Sequence, residues 1–126
     1  MSLDKYVISL KSAAKRRDHI VEQFNAQNIK FKFFNAIEPH ENSKIATDLG
    51  LNISDCDLTQ GEISCLLSHV SLWKMMLDQQ FNYMAIFEDD ILLGESAQLI
   101  LNTTSWIPQN ADLIKLEKFA SAARMK

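Results

Sequence analysis

Three consecutive carboxylates stand at the end of the most apolar stretch of this 126-residue chain. Glu88, Asp89 and Asp90 follow the run Met84–Phe87 and precede the apolar residues 91–93. Like charges a few ångströms apart repel, and an ionised carboxylate is costly to bury without a partner. A divalent cation removes that repulsion, and hard oxygen ligands suit Mg²⁺ or Mn²⁺. Because these ions also bridge diphosphates, the triplet is a candidate site for a metal and a phosphate leaving group.

A structural role is the competing interpretation of the same three acids. They would then cap the next helix or pair with Lys and Arg at the surface, as most isolated Asp-Asp pairs do. The residues alone leave both interpretations open.

Other polar residues can likewise be interpreted either as ligand-binding residues or as structural ones. Arg16 and Arg17, near the end of a predicted first strand, would hold phosphate through charge-assisted hydrogen bonds or form a solvated helix face. His69 lies seven residues after Glu62, on roughly the same side of a predicted helix. It either approaches a ligand or is a hydrogen-bonded structural histidine. The sequence contains no phosphate-cradling glycine loop, no G-x-S-x-G elbow and no zinc signature, which excludes several enzyme classes.

Strands and helices are expected to alternate along the chain, which predicts an α/β fold with a mostly parallel sheet. In such sheets the ligand crevice lies outside the carboxyl ends of the strands, where the acidic triplet is placed. The predicted strands are Tyr6–Leu10, Phe31–Phe34, Phe81–Phe87 and Asp112–Leu116. The predicted helices run from a Ser12 cap to about Asn28, around Ile45–Leu49, from Thr59 to about Gln79, and over Ser96–Leu101, with loops at Pro39–Ser43 and Asn52–Leu58.

The helix after Thr59 has the clearest local pattern. Thr59 and Glu62 fit a capping box, in which each side chain bonds the other's backbone N–H. An apolar stripe at helical spacing is expected to face the core; its members are Ile63, Leu66, Leu67, Val70, Trp73 and Leu77.

Composition limits the class of protein. Hydrophobic residues make up 47% of the chain, which suits one domain over residues 1–126, with residues 1–3 expected to be a cloning remnant. The net charge of −3 argues against nucleic-acid binding. Residues 1–32 carry seven Lys/Arg against three Asp/Glu, whereas residues 38–95 carry two against eleven. The basic N-terminal part and the acidic middle part form either two walls of one binding site or two separate solvated surfaces.

The cysteines and the apolar runs indicate a cytosolic protein. Cys56 and Cys65 lack metal-ligand spacing and are expected to be reduced packing residues. No apolar run approaches the roughly 18 residues that a membrane span requires, so the chain is expected to be peripheral at most.

The order of four segments resembles glycosyltransferase family 25, whose bacterial members build lipooligosaccharide and are mostly galactosyltransferases. The segments are YVISLKSAAKRRDHI, FKFFNAIEP, LTQGEISCLLSHVSLWKMML and YMAIFEDDILL. The resemblance implies a Rossmann-like fold of the GT-A type, truncated at its C-terminal end, and a UDP-sugar donor.

The resemblance also implies roles for individual residues. Asp90, together with Glu88, would ligate Mn²⁺ or Mg²⁺, and Asp89 would belong to the same acidic motif at the donor site. Arg16 and Arg17 would face the diphosphate. Ser9 and Leu10 would line the uracil and ribose pocket, and the helix beside the donor would contribute Glu62, Ser68 and His69.

Family members are considerably longer, so the acceptor site and the acceptor-activating base are expected to lie outside this chain. A truncated sheet exposes an edge that a homodimer would cover. A non-catalytic homologue that only binds nucleotide or a partner is the main alternative function. A receiver-like signalling domain is a remote one, because Lys11 and Ser12, rather than an acidic pair, follow the first strand.

Overall fold

The computed structural model of the chain describes residues 3–116, which contain a three-stranded sheet flanked by helices. All strand pairs are parallel and the strand order is β2-β1-β3. This arrangement confirms the predicted α/β class. The elements in chain order are β1 (Asp4–Ser9), α1 (Ala14–Ala26), β2 (Lys32–Asn35), a 3₁₀ turn (Pro39–Glu41), α2 (Asn42–Asp48), α3 (Gln60–Asp78), β3 (Met84–Glu88) and α4 (Ala97–Leu101).

The central strand β1 is buried on both faces, as a parallel sheet covered by helices requires. Val7 pairs with Phe33 and with Phe87, and this row packs against Ile20 and Phe24 of α1. The neighbouring row faces the opposite side and packs against α3; its apolar members are Tyr6, Ile8, Phe34 and Ile86. Side-chain alternation therefore assigns each position along a strand to either α1 or α3.

The helix α3 begins with the predicted capping box. The Thr59 hydroxyl accepts a hydrogen bond from the Glu62 N–H at 3.1 Å, and the Glu62 carboxylate accepts one from the Thr59 N–H at 2.9 Å. These two bonds satisfy backbone donors that have no partner within the helix.

The predicted apolar stripe of α3 is only partly correct. Ile63 and Leu67 are buried, but Leu66 and Trp73 are exposed and Leu77 is 78% exposed. The buried face instead consists of Ile63, Ser64, Leu67, Ser68 and Leu72. The two serines are tolerated there because Ser68 Oγ donates to the Ser64 carbonyl and Ser64 Oγ donates to the side chain of Asn42.

Three other local predictions were wrong. Asp112–Leu116 contains no strand, and Leu113 is 85% exposed, so this apolar run does not extend the sheet among the described residues. The predicted loop Pro39–Ser43 instead contains the 3₁₀ turn and the start of α2. Ser12 does not cap α1, which starts two residues later without a side-chain cap. No helix of the part that the structure describes is long and apolar enough to cross a membrane.

Candidate functional site

The carboxyl ends of β1 and β3 lie side by side and form the centre of the candidate site. The chain leaves β1 toward β2 on one side and later returns to β3 on the other, so the strand order reverses between β1 and β3. In open α/β sheets this reversal opens a crevice in which ligands bind. Ile8 and Glu88 are register partners there, and Ser9 and Asp89 follow them directly.

Strand alternation sends the first two acids of the triplet to opposite faces of the sheet. Glu88 continues the row of Ile86 and Ile8, which faces α3. Asp89 follows Phe87, whose row faces α1. The carboxylates of Glu88 and Asp89 are thus directed toward different partners, which reduces the electrostatic repulsion expected between adjacent acidic residues.

The carboxylate of Asp89 is held by two residues. Ser9, only 2% exposed, donates its hydroxyl to Asp89 Oδ2 at 2.7 Å. Arg16 Nη1 forms an ion pair with Asp89 Oδ1 at 3.2 Å. The Ser9 bond is a charge-assisted hydrogen bond, whereas the exposed Arg16 pair contributes little stability. Asp89 therefore joins the ends of β1, β3 and α1.

Arg17 is fixed against the ends of β1 and β2. Its Nη2 donates to the Ser9 carbonyl and to Asn35 Oδ1, both at 2.8 Å, and its guanidinium lies 4.5 Å from the ring centroid of Phe33. Its buried Nε has no hydrogen-bond partner among the described residues. These contacts place a fixed positive charge at the carboxyl edge of the sheet.

Glu88 meets two side chains of α3. Cys65 Sγ donates to Glu88 Oε1 at 3.3 Å, and His69 Nε2 lies 3.8 Å from the same oxygen. Burial, with added effects of the hydrogen bond and negative charge of Glu88, raises the pKa of the Cys65 thiol. The thiol is therefore protonated at neutral pH and acts as a donor to the carboxylate.

Asp90 and Leu10 form the exposed rim of the crevice. Asp90 lies in a turn and makes no hydrogen bond or ion pair with any residue that the structure describes. Leu10 is 42% exposed just beyond the end of β1. Both side chains are accessible to a ligand placed over the carboxyl ends of β1 and β3.

The other two α3 residues named from the sequence have structural contacts. Glu62 is exposed and belongs to the capping box. Ser68 is 1% exposed, and its Oγ accepts a hydrogen bond from the Ile37 N–H at 3.0 Å. Ser68 therefore fastens α3 to the segment that follows β2.

The capping box predicts a pH dependence of stability. The hydrogen bonds from the Thr59 backbone and side chain lower the pKa of Glu62 below its ordinary value of 4.5. A lowered folded-state pKa adds stability that is complete above the unfolded-state pKa and is lost as the pH falls through the folded-state pKa. We expect Glu62→Gln to remove this contribution at pH 7 and to match the parent more closely at pH 3. Urea unfolding of both proteins at the two pH values checks the difference, and an equal gap at both would contradict it.

Three residues of this region were not named as site residues from the sequence: Asn35, Asn42 and Cys65. Cys56 and Cys65 were expected to be packing residues, but both are exposed. Asn35 ends β2 and holds Arg17, and Cys65 contacts Glu88. Asn42 is 1% exposed and donates to the carbonyl and side-chain oxygen of Gln60, both at 3.0 Å. The position of Asn35 at the end of a predicted strand and the four-residue spacing of Cys65 and His69 were available signals.

The donor atoms at the rim fit a hard divalent cation. Asp90 offers an unpaired carboxylate, and the half-exposed Glu88 offers a second one from the end of β3. Mg²⁺ and Mn²⁺ prefer such oxygen ligands and commonly share one or two carboxylates with substrate phosphates. Asp89 fits less well, because both of its oxygens already accept from Ser9 and Arg16.

Comparison with known proteins decides the family. The family model described as glycosyltransferase family 25 (LPS biosynthesis protein) matches residues 2–125. The chain belongs to glycosyltransferase family 25. This match confirms the resemblance seen in the sequence.

Individual relatives agree with this assignment. The chain is 37% identical to the lipooligosaccharide biosynthesis protein lic2B of Haemophilus influenzae over 127 residues, which cover 96% of this chain and 48% of the relative. It is 40% identical to the lacto-N-neotetraose biosynthesis glycosyltransferase LgtB of Neisseria meningitidis serogroup A over 122 residues, or 91% of this chain and 44% of that protein. The chain thus spans somewhat less than half of either relative.

Proposed function

We propose that this chain forms the nucleotide-sugar site of a hexosyltransferase that moves galactose from a UDP-sugar to a lipooligosaccharide acceptor. The main support for the proposal is that Ser9, Asp89 and the accessible Asp90 lie together at the β1/β3 crevice. Family membership supports the reaction class, and the roles of lic2B in lipooligosaccharide biosynthesis and of LgtB in lacto-N-neotetraose biosynthesis support the acceptor.

The residues divide into a base-binding part and a charge-binding part. Ser9 and Leu10 lie where β1 ends and would contact the uracil and ribose. Arg16 and Arg17 supply positive charge on the α1 side of the crevice and would face the diphosphate. Arg17 is already oriented by Ser9 and Asn35, so little side-chain entropy would be lost when a phosphate binds.

The carboxylates at the rim would complete the donor site. Asp90, with Glu88, would hold Mn²⁺ or Mg²⁺, and the cation would supply positive charge that stabilises the departing UDP. As the bond between the sugar and the diphosphate breaks, its electron pair leaves with UDP. Arg16 and Arg17 would then stabilise the negative charge that grows on the phosphate. The acceptor-activating base is expected in the part of the relatives that this chain does not cover.

Titration calorimetry tests the donor-binding half of the proposal. We expect UDP to bind this chain weakly in the presence of Mn²⁺ and at least ~10-fold more weakly after chelation of the metal. Absence of metal-dependent UDP binding would overturn the assignment. A transfer assay with UDP-galactose and a lipooligosaccharide acceptor then distinguishes an active transferase from a homologue that binds nucleotide without turnover.

The open edges of the sheet bear on the oligomeric state of the protein. Both outer strands of the three-stranded sheet, β2 and β3, have an unpaired edge among the described residues. We propose that a homodimer covers one of these edges, and that the protein acts at the cytoplasmic face of the inner membrane. Light scattering tests the first point, and a monomer at all concentrations would contradict it.

A further inference from the structure

Three side chains with different donor atoms meet between α3 and the end of β3. They are the Cys65 thiol, the His69 imidazole and the Glu88 carboxylate, and one ligand atom from each lies within 4.8 Å of the others. We propose that these residues form a binding site for Zn²⁺ or a similar borderline-soft cation.

The backbone fixes the relative positions of the three residues. Cys65 and His69 are four positions apart on α3 and therefore project from the same side of the helix. Glu88 projects toward α3 because it continues the strand row of Ile8 and Ile86. Leu67 and Leu72, each fully buried, hold α3 against the rest of the protein. The site is thus supported by two packed elements rather than by a loop.

The distances suit a small tetrahedral cation. Cys65 Sγ lies 3.3 Å and His69 Nε2 3.8 Å from Glu88 Oε1. Ligand atoms around tetrahedral zinc are about 3.3–3.6 Å apart, given zinc bond lengths of about 2.0–2.3 Å. Small side-chain rotations would therefore bring all three atoms to bonding distance. The side chains of His69 and Glu88 are 29% and 52% exposed, so the ion has access from solvent.

The types of ligand favour zinc over magnesium or manganese. Thiolate and imidazole are preferred by Zn²⁺, whereas Mg²⁺ requires oxygen ligands in near-octahedral geometry. On binding, the cation replaces the thiol proton of Cys65, which passes to solvent. Three protein ligands leave a fourth coordination position for water or a ligand atom.

A second cluster in the described residues fits the same ion less well. Glu38, His40 and Glu41 also place one ligand atom each within 4.8 Å of the others, but they include no thiol. The Glu41 carboxylate also already accepts a hydrogen bond from the Glu38 N–H at 3.1 Å, at the start of the 3₁₀ turn. This cluster serves as an internal control for non-specific metal binding.

The zinc site would have a consequence for the donor site, and this step rests on the proposed function. Glu88 belongs to both ligand sets, so a bound Zn²⁺ withdraws it from the site that it shares with Asp90. Zn²⁺ is then expected to weaken Mn²⁺-dependent UDP binding. The dependence of this effect on Cys65 separates it from simple replacement of Mn²⁺ by Zn²⁺ at Asp90.

Spectroscopy of the Co²⁺-substituted protein tests the site independently of UDP binding. We expect one equivalent of Co²⁺ to give the charge-transfer absorption of a cobalt–thiolate bond and the intense visible bands of tetrahedral cobalt, and Zn²⁺ to displace it. Cys65→Ser is expected to abolish the charge-transfer band, and His69→Ala to weaken Co²⁺ binding at least ~10-fold. Cys56→Ser and His40→Ala are the matched controls and are expected to leave the spectrum unchanged.

The opposite pattern would overturn the proposal. Weak octahedral bands without charge transfer, or equal loss of the band in Cys65→Ser and Cys56→Ser, would show that no such site exists. Cys65 and His69 are not part of the buried core, and circular dichroism of each variant verifies that it is folded. Failure of UDP binding with an intact cobalt spectrum would reject the proposed function and leave the zinc site standing.

Discussion

Replacement of Asp90 by asparagine is expected to weaken Mn²⁺-dependent UDP binding by roughly 100-fold, because it removes the negative charge of the proposed main metal ligand. Asp90 is exposed and makes no hydrogen bond or ion pair with the described residues, so the substitution should leave the stability of the fold nearly unchanged. Titration calorimetry with UDP and Mn²⁺, combined with urea unfolding, measures both quantities.

Asp55→Asn is the matched control for this substitution. Asp55 is an exposed aspartate in a loop, so its replacement changes net charge equally without touching the crevice. We expect Asp55→Asn to bind UDP as the parent does. Equal affinities of the Asp90→Asn variant and the parent would reject Asp90 as a metal ligand.

Arg17→Ala is expected to lower the free energy of unfolding by about 2–3 kcal/mol. The substitution removes two charge-assisted hydrogen bonds, to the Ser9 carbonyl and Asn35, and a cation–π contact with Phe33. It also loosens the junction of β1 and β2, so nucleotide affinity should fall together with stability. Urea denaturation gives the stability change.

Arg16→Ala provides the comparison for Arg17. Arg16 is the preceding arginine, but its side chain is 65% exposed and forms a surface ion pair with Asp89. Such pairs contribute about 0–1 kcal/mol, so Arg16→Ala should have little effect on unfolding. Equal losses for the two variants would mean that the contacts of Arg17 do not stabilise the sheet.

Local patterns in the sequence predicted much of the architecture. The apolar runs that form β1 and β3 were identified, with ends within three residues of those observed, and the capping box at Thr59 fixed the start of α3. Placing the acidic triplet at a strand's carboxyl end followed from these elements. The apolar strand runs and the capping box both depend on residues close together in the chain, where periodicity and local hydrogen bonding determine the structure directly.

The predictions that failed depend on contacts between distant segments. Leu66, Trp73 and Leu77 are larger and more apolar than the serines of α3, yet the rotation of the helix against the sheet buries Ser64 and Ser68. Those serines find buried hydrogen-bond partners in residues that only the fold brings near. Likewise, the run Asp112–Leu116 has strand composition but no neighbouring strand to pair with among the described residues.

The residues that contact the acidic triplet could not be predicted from the sequence either. Alternation along β3 implies that Glu88 and Asp89 face opposite ways, but it does not identify what each one meets. The contact of Glu88 with Cys65 depends on the packing of α3, and the contact of Asp89 with Ser9 depends on the β1/β3 register. Arg17 was expected to face a phosphate, and its role in joining β1 to β2 became evident only in three dimensions.

Paramagnetic broadening of amide NMR signals by Mn²⁺ in the presence of UDP is the most direct test of the site at the β1/β3 crevice. At 14.4 kDa the chain is suitable for this measurement. The proposed donor site predicts the strongest broadening at Asp90 and its neighbours. With diamagnetic Mg²⁺ in place of Mn²⁺, it predicts UDP-dependent shifts at Ser9 and Leu10 that disappear when the metal is removed. Broadening centred on His40 instead, or UDP-dependent shifts confined to residues remote from the ends of β1 and β3, would contradict it.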